Sequence, residues 1–153
     1  MVYLIMWITV FTTVFSGVIV YVMGQIIVKC ALDPYISFKE HLGKISSLLL
    51  REQNKLVNVK PSSELINELK SSSGILIAKS KAIPCYDYFV KIRILPKYSD
   101  VIEASHHLNL ISSMLEETAA IDPYSTRPSP LAGTSITKHL IIVGEKLDIV
   151  VSY

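Results

Sequence analysis

The sequence predicts a mainly α-helical chain, with an N-terminal transmembrane helix followed by a small helical domain. Three observations carry this. No charged side chain precedes Lys29 in the run MVYLIMWITVFTTVFSGVIVYVMGQIIVKC. Beyond it, apolar residues recur at steps of three and four, the period of one helical face. The alternation that marks paired strands is confined to two short, ambiguous stretches.

The opening run comes first. A bilayer's hydrocarbon core of about 30 Å takes about 20 apolar helical residues to cross, and Tyr3 to Val28 exceeds that. A soluble core helix would show a polar face, yet only Thr9, Thr12, Thr13, Ser16 and Gln25 interrupt this one. A cleaved signal would pair a basic start with a short apolar core and small residues at the cut. Here the apolar run is too long, Lys and Arg are absent before Lys29, and no A-x-A pattern lies between Gln25 and Cys30. The expectation is an uncleaved anchor over 1–29. Lys29, Lys39, Lys44, Arg51 and Lys55 follow it, and positive flanks stay cytoplasmic. The N-terminus is therefore expected outside and the rest cytoplasmic. Tyr3 and Trp7 suit the membrane interface, while Tyr21 sits deeper. Thr9, Thr13 and Gly17 are four apart and Gly24 continues that face. Small residues at such spacing let membrane helices approach closely, which makes this a candidate packing face.

Residues 30–121 read as one helical domain. Asp33-Pro34 has the form of an N-cap followed by a first-turn proline. Phe38, Leu42, Ile45, Leu49 and Leu56 then mark one face of a helix that ends before Lys60-Pro61. This apolar face is the candidate partner-binding surface, through Phe38, Leu42, Ile45 and Leu49, and also the face expected to pack on the next helices. A second helix starts at Ser62-Ser63-Glu64 and shows Leu65, Leu69, Leu76 and Ile83, with Ser72 or Ser73 filling a gap. KSSSG weakens its middle and Pro84 ends it. CYDYFVKIRIL, Cys85 to Leu95, alternates as a strand would, but a lone strand lacks a partner and a short helix is preferred. The next helix starts with Asp100 and Glu103 as a capping box, and Val101, Ala104, Leu108, Ile111 and Leu115 line one face.

A Pro-rich linker is expected over 122–134. The segment 135–153 supports two readings. Ile136, Leu140, Val143, Leu147 and Val151 are spaced as on a helix, whereas LIIV and LDIVV around GEK resemble a hairpin. Helix is favoured because an isolated hairpin is marginal in water.

Little in the chain points to chemistry. With 15 Lys and Arg against 13 Asp and Glu, the net charge of +2 gives no nucleic-acid footprint. Cys30 and Cys85 lack a C-x-x-C neighbour and read as structural thiols. His106 and His107 are adjacent and point about 100° apart on a helix, so they do not grip one metal together. Glu103 and His107 share a face, while His41 and His139 stand isolated. No phosphate-cradling glycine loop, G-x-S-x-G or H-E-x-x-H is present. No cofactor, metal or catalytic residue is assigned. A basic band of Lys70, Lys79, Lys81, Lys91, Arg93 and Lys97 contains one acid between its later members, Asp87, and suits either an anionic leaflet or ordinary solvent.

AIPCYDYF with the following LP (Ala82 to Pro96), and then VIEASHHLNLISSML (Val101 to Leu115), resemble a group of small uncharacterised bacterial single-pass membrane proteins. In those an acidic-Pro step, here Asp33-Pro34, opens a long helix after the anchor. The resemblance covers roughly Gly24 to Leu115, and HLIIVGEKLDIVV departs from it. It implies a bacterial inner-membrane setting with a helical cytoplasmic tail, and supplies no activity. The resulting expectation is a non-catalytic adaptor or assembly subunit, with the bilayer and a protein as partners and no nucleic acid. The alternative is a self-associating membrane-active protein such as a pore former, toxin or phage-exclusion factor.

Overall fold

The computed structural model describes residues 2–60, 62–121 and 130–152, and every regular element among them is helical. Helix α1 runs Val2–Ile27, a π-helical turn follows at Val28–Leu32, and α2 continues over Asp33–Arg51. Short α3 (Gln53–Val57) precedes α4 (Ser63–Lys81), α5 (Tyr86–Lys91), α6 (Tyr98–Ile121) and α7 (Pro130–Leu147).

The first structural surprise is continuity. Asp33-Pro34 does not start a helix. Tyr3–Arg51 is one unbroken helical rod of 49 residues, long and apolar enough near its N-terminus to cross a membrane. At about 1.5 Å per residue it is about 74 Å long, of which α1 supplies about 39 Å. The π turn explains how Pro34 is tolerated. Asp33 donates its backbone N–H to Val28 O, one residue farther back than in an α-helix, just before the residue that has no N–H to give. The proline cue thus becomes a register shift inside a helix.

From Asp33 onward the chain packs as an up-down-up-down bundle of α2, α4, α6 and α7. Cross-links fix the antiparallel order. The start of α2 meets the end of α4 where Lys79 Nζ donates to Ser37 O at 3.1 Å, and Arg51 at the other end reaches Glu68. Lys70 pairs with Glu116 across α4 and α6. Lys146 pairs with Asp100 and Glu103 across α7 and α6. One end of the bundle therefore gathers the start of α2, the end of α4, α5, the start of α6 and the end of α7. The polypeptide leaves α1 at this end.

The expected apolar faces form one continuous core. Phe38, Leu42, Ile45 and Leu49 from α2 join Leu69 and Leu76, then Leu108, Ile111 and Leu115, then Ile136, Val143 and Leu147. Full burial of each such side chain is worth about 1.5–3 kcal/mol before entropy. The favoured helix at the C-terminal end is what forms, as α7, and it already covers 130–134 of the expected linker; 122–129 lies outside the described residues. The preferred short helix in the Cys85–Leu95 stretch is α5.

Two other expectations are corrected. Asp100 is not a cap: α6 begins at Tyr98, so Asp100 lies within its first turn and pairs with Lys146. The helix expected to run to Lys60 breaks at Glu52, where φ is −97° and ψ 8°, and restarts as α3. That break lets α3 lie against α7. Gly133 comes so close that a Cβ there would stand 2.6 Å from Val57 O.

KSSSG acquires a reason in the packing. Ser73, Ser105 and Ser112 are buried between helices. Ser73 donates to Asn109 Oδ1 at 2.7 Å and Ser105 donates to Ser73 O at 3.0 Å. Small hydroxyl residues let α4 and α6 approach closely and leave no buried side-chain polar atom without a partner among the described residues.

Candidate functional site

Helix α1 has no polar stripe and touches none of the bundle's buried core. Its most hydropathic 18-residue window has a mean hydropathy of 2.0 and is 0% buried. The threonines that interrupt it are satisfied locally. Thr9 donates to Ile5 O at 2.9 Å, Thr12 to Ile8 O at 2.8 Å and Thr13 to Thr9 O at 2.9 Å. Their hydroxyls therefore present no unmet donor to an apolar solvent. Gly17 and Gly24 continue the Thr9–Thr13 face, and a Cβ at either glycine would meet nothing within 4 Å. The candidate packing face is open along its length.

The other candidate surface is closed. Phe38, Leu42, Ile45 and Leu49 are 0%, 3%, 1% and 0% exposed. They are the α2 contribution to the core, so they do not offer a partner-binding face. Sequence periodicity shows that a face is apolar, and leaves open whether the covering helix comes from the same chain. The exposed apolar residues of the bundle lie elsewhere, among them Ile75, Ile102 and Ile141 on α4, α6 and α7.

The titratable groups fall into a pattern the sequence analysis missed. His139 is not isolated. Its Nδ1 lies 2.8 Å from Nδ1 of His107, with ring centroids 4.9 Å apart, across the α6–α7 contact. Two imidazole nitrogens in that geometry share one proton: one ring donates and the other must accept. Partial burial and the neighbouring imidazoles of His139 and His106 hold the His107 pKa below its ordinary value of 6.5. Glu103 pulls the other way more weakly, because its carboxylate is engaged by Lys146 at 2.7 Å. His41 is buried as well, with Nε2 2.9 Å from Ser72 O, and burial holds its pKa down. A sequence signal for these placements existed. His41, His107 and His139 each stand one position before a core leucine, Leu42, Leu108 and Leu140, which puts the imidazole at the edge of a buried face.

The thiols correct another expectation. Cys30 and Cys85 are both free and exposed, so neither packs as a structural core thiol. No group of three or more His, Cys, Asp and Glu side chains among the described residues is arranged to hold a metal ion.

A compact aromatic cluster sits at the end where α1 leaves. Tyr35 stacks on Phe89 with centroids 6.0 Å apart, Phe38 meets Tyr86 edge-on at 6.4 Å, and Tyr86 meets Tyr98 at 6.0 Å. Tyr86 donates its hydroxyl to Pro96 O at 2.9 Å. Burial, with Asp100 and Tyr98 nearby, pushes the Tyr86 pKa up to about 12, so this hydroxyl stays a donor.

Comparison with known proteins finds no matching family model, no matching curated protein and no matching solved structure.

Proposed function

We propose that the chain is a single-pass membrane protein that acts as a non-catalytic adaptor or assembly subunit. In this reading α1 crosses the bilayer with its N-terminus outside, and the bundle stands on the cytoplasmic face. The observation that carries the proposal is the uninterrupted passage from α1 through the π turn into α2. An apolar helix with nothing packed on it is joined, without a flexible linker, to a helix whose inner face is the bundle core. Such a joint fixes the bundle's height and direction relative to the membrane, a property suited to presenting a surface rather than to turning over a substrate.

The expected partner is a protein, held by the outward faces of α4, α6 and α7, since the inward faces are used up in folding. The test has two stages. Alkaline carbonate extraction of native membranes, followed by protease accessibility of each terminus, checks the anchor and its orientation; release of the chain by carbonate overturns the reading. Crosslinking in cells then compares the native chain with Ile75→Asp, Ile102→Asp and Ile141→Asp, and a partner whose recovery ignores all three does not use this surface.

One observation favours a second reading. The face of Thr9, Thr13, Gly17 and Gly24 is small and open, as a helix-helix contact in a membrane requires. A self-associating, membrane-active protein would use it.

A further inference from the structure

We infer that residues 81–97, which carry α5, form a second membrane contact: a foot that rests on the anionic leaflet from which α1 emerges. The inference rests on the reading of α1 as a spanning helix.

Height comes first. The Tyr35–Phe89 stack fastens α5 to the first turn of α2. Tyr35 lies six residues beyond Lys29, the first charge after the apolar run, which is about 9 Å along the helix. The polar headgroup layer on each side of a bilayer is about 5–8 Å deep. With α1 inserted, the point where the foot is fastened therefore stands at the outer edge of the headgroup layer, within side-chain reach of it.

Its surface has the character of an interfacial element. Phe89 and Val90 pack on the core, while Tyr88, Ile92 and Ile94 face outward at 63%, 46% and 41% exposure. Ile36 and Leu32, on the rod itself, are exposed as well. Tyrosine is enriched at the headgroup level because its ring is apolar and its hydroxyl is not. Lys81, Lys91, Arg93 and Lys97 flank these residues in the sequence, all exposed. None forms an ion pair within the described residues, a property shared with Lys39, Lys44 and Lys60 on the bundle, while Arg51, Lys55, Lys70 and Lys146 each hold a carboxylate. Asp87 is the only acid in residues 81–97. Glu145 and Asp148 line the groove between this segment and α7 and soften the field there.

The foot is also built rather than loose. Cys85 opens α5 at φ 54° and Arg93 closes it at φ 58°, both in the left-handed region that non-glycine residues seldom occupy. The Tyr86–Pro96 hydrogen bond ties the two ends together across the segment. Strained backbone of this kind persists because the surrounding packing holds it. What it holds up is a tyrosine and two isoleucines in a segment with four exposed cations that hold no carboxylate among the described residues, complementary to phosphate headgroups over acyl chains.

The experiment places spin labels on the full-length protein, one copy per nanodisc, and compares phosphatidylcholine with phosphatidylcholine containing phosphatidylglycerol. Labels go on Cys30 in a Cys85→Ser background, and on Tyr88→Cys, Ile92→Cys or the distal Lys60→Cys with both native thiols replaced by serine. Collision with oxygen and with a water-soluble nickel chelate reports depth. The expected result is an interfacial label at Cys30, labels at Tyr88→Cys and Ile92→Cys shielded from nickel more strongly when phosphatidylglycerol is present, and a fully aqueous label at Lys60→Cys. Replacing Lys81, Lys91, Arg93 and Lys97 together by Gln should abolish the extra shielding, each charge being worth roughly fivefold in leaflet affinity. If Cys30 is interfacial but Tyr88→Cys and Ile92→Cys are as aqueous as Lys60→Cys, the foot is overturned and the anchor stands. If Cys30 too is aqueous, the anchor reading fails first. Shielding that appears only with two copies per disc assigns the patch to a second copy instead, and equal shielding in both lipids overturns the anionic leaflet as its occupant.

Discussion

His107 and His139 face each other across α6 and α7 with their Nδ1 atoms 2.8 Å apart, sharing a single proton between two rings. The contact is intact only while at least one imidazole is neutral, because two cations at this distance repel.

The pairing makes the bundle acid-sensitive. His107 and His41 both have folded pKa values held below the ordinary 6.5, so the unfolded chain binds more protons as pH falls. Their contribution is fully present above about pH 6.5 and is lost as the pH falls below it and through the folded pKa values. Thermal unfolding followed by helix content should show a melting temperature that drops from about pH 7.5 to about pH 5. His107→Gln should flatten this profile, and His41→Gln should remove most of what is left. Unchanged slopes in both variants would remove these histidines from the account.

Phe38→Ala should cost about 3–5 kcal/mol, because a fully buried aromatic leaves a cavity at the centre of the core. Ile141→Ala, at a position 48% exposed, should change stability by less than about 0.5–1 kcal/mol. Denaturant unfolding of the bundle in detergent checks the contrast. Similar effects at the two sites would mean that Phe38 faces a partner rather than the core.

Two glycines should respond with opposite sign. Gly133→Ala pushes a methyl toward Val57 O, which is backbone and has little room to yield, so a loss of about 1–3 kcal/mol is expected. Gly43→Ala meets nothing within 4 Å on α2 and should gain about 0.5–1 kcal/mol of helix stability. Melting temperatures of the two variants settle the sign, and a neutral Gly133→Ala would show that α3 does not press on α7.

Gly17→Leu fills the open face of α1 without adding charge. If copies associate through Thr9, Thr13 and Gly17, crosslinked dimer should fall severalfold in membranes while insertion is unchanged. Dimer yield indifferent to this change and to Thr13→Leu would overturn self-association through this face.

Much of this architecture is legible before folding. Val101, Ala104, Leu108, Ile111 and Leu115 announce their shared burial by spacing, and all five are fully buried. The local punctuation was less faithful. Asp33-Pro34 and Asp100 carry cap chemistry, yet a π turn absorbs the first and an ion pair to Lys146 takes the second. A cap motif states what a helix end would accept, and tertiary contacts decide whether an end is there at all.

Sequence alone determined the apolar, uncharged α1 and the inward face of every long helix, because hydrophobic burial and helical period are properties of residues near one another in the chain. Only the tertiary structure decided that Phe38, Leu42, Ile45 and Leu49 are covered from within, that His107 meets His139, and that α5 stands beside the root of α1. Each of these depends on which helix lies against which, across tens of residues of sequence, and the pattern on a single helix does not specify its neighbour.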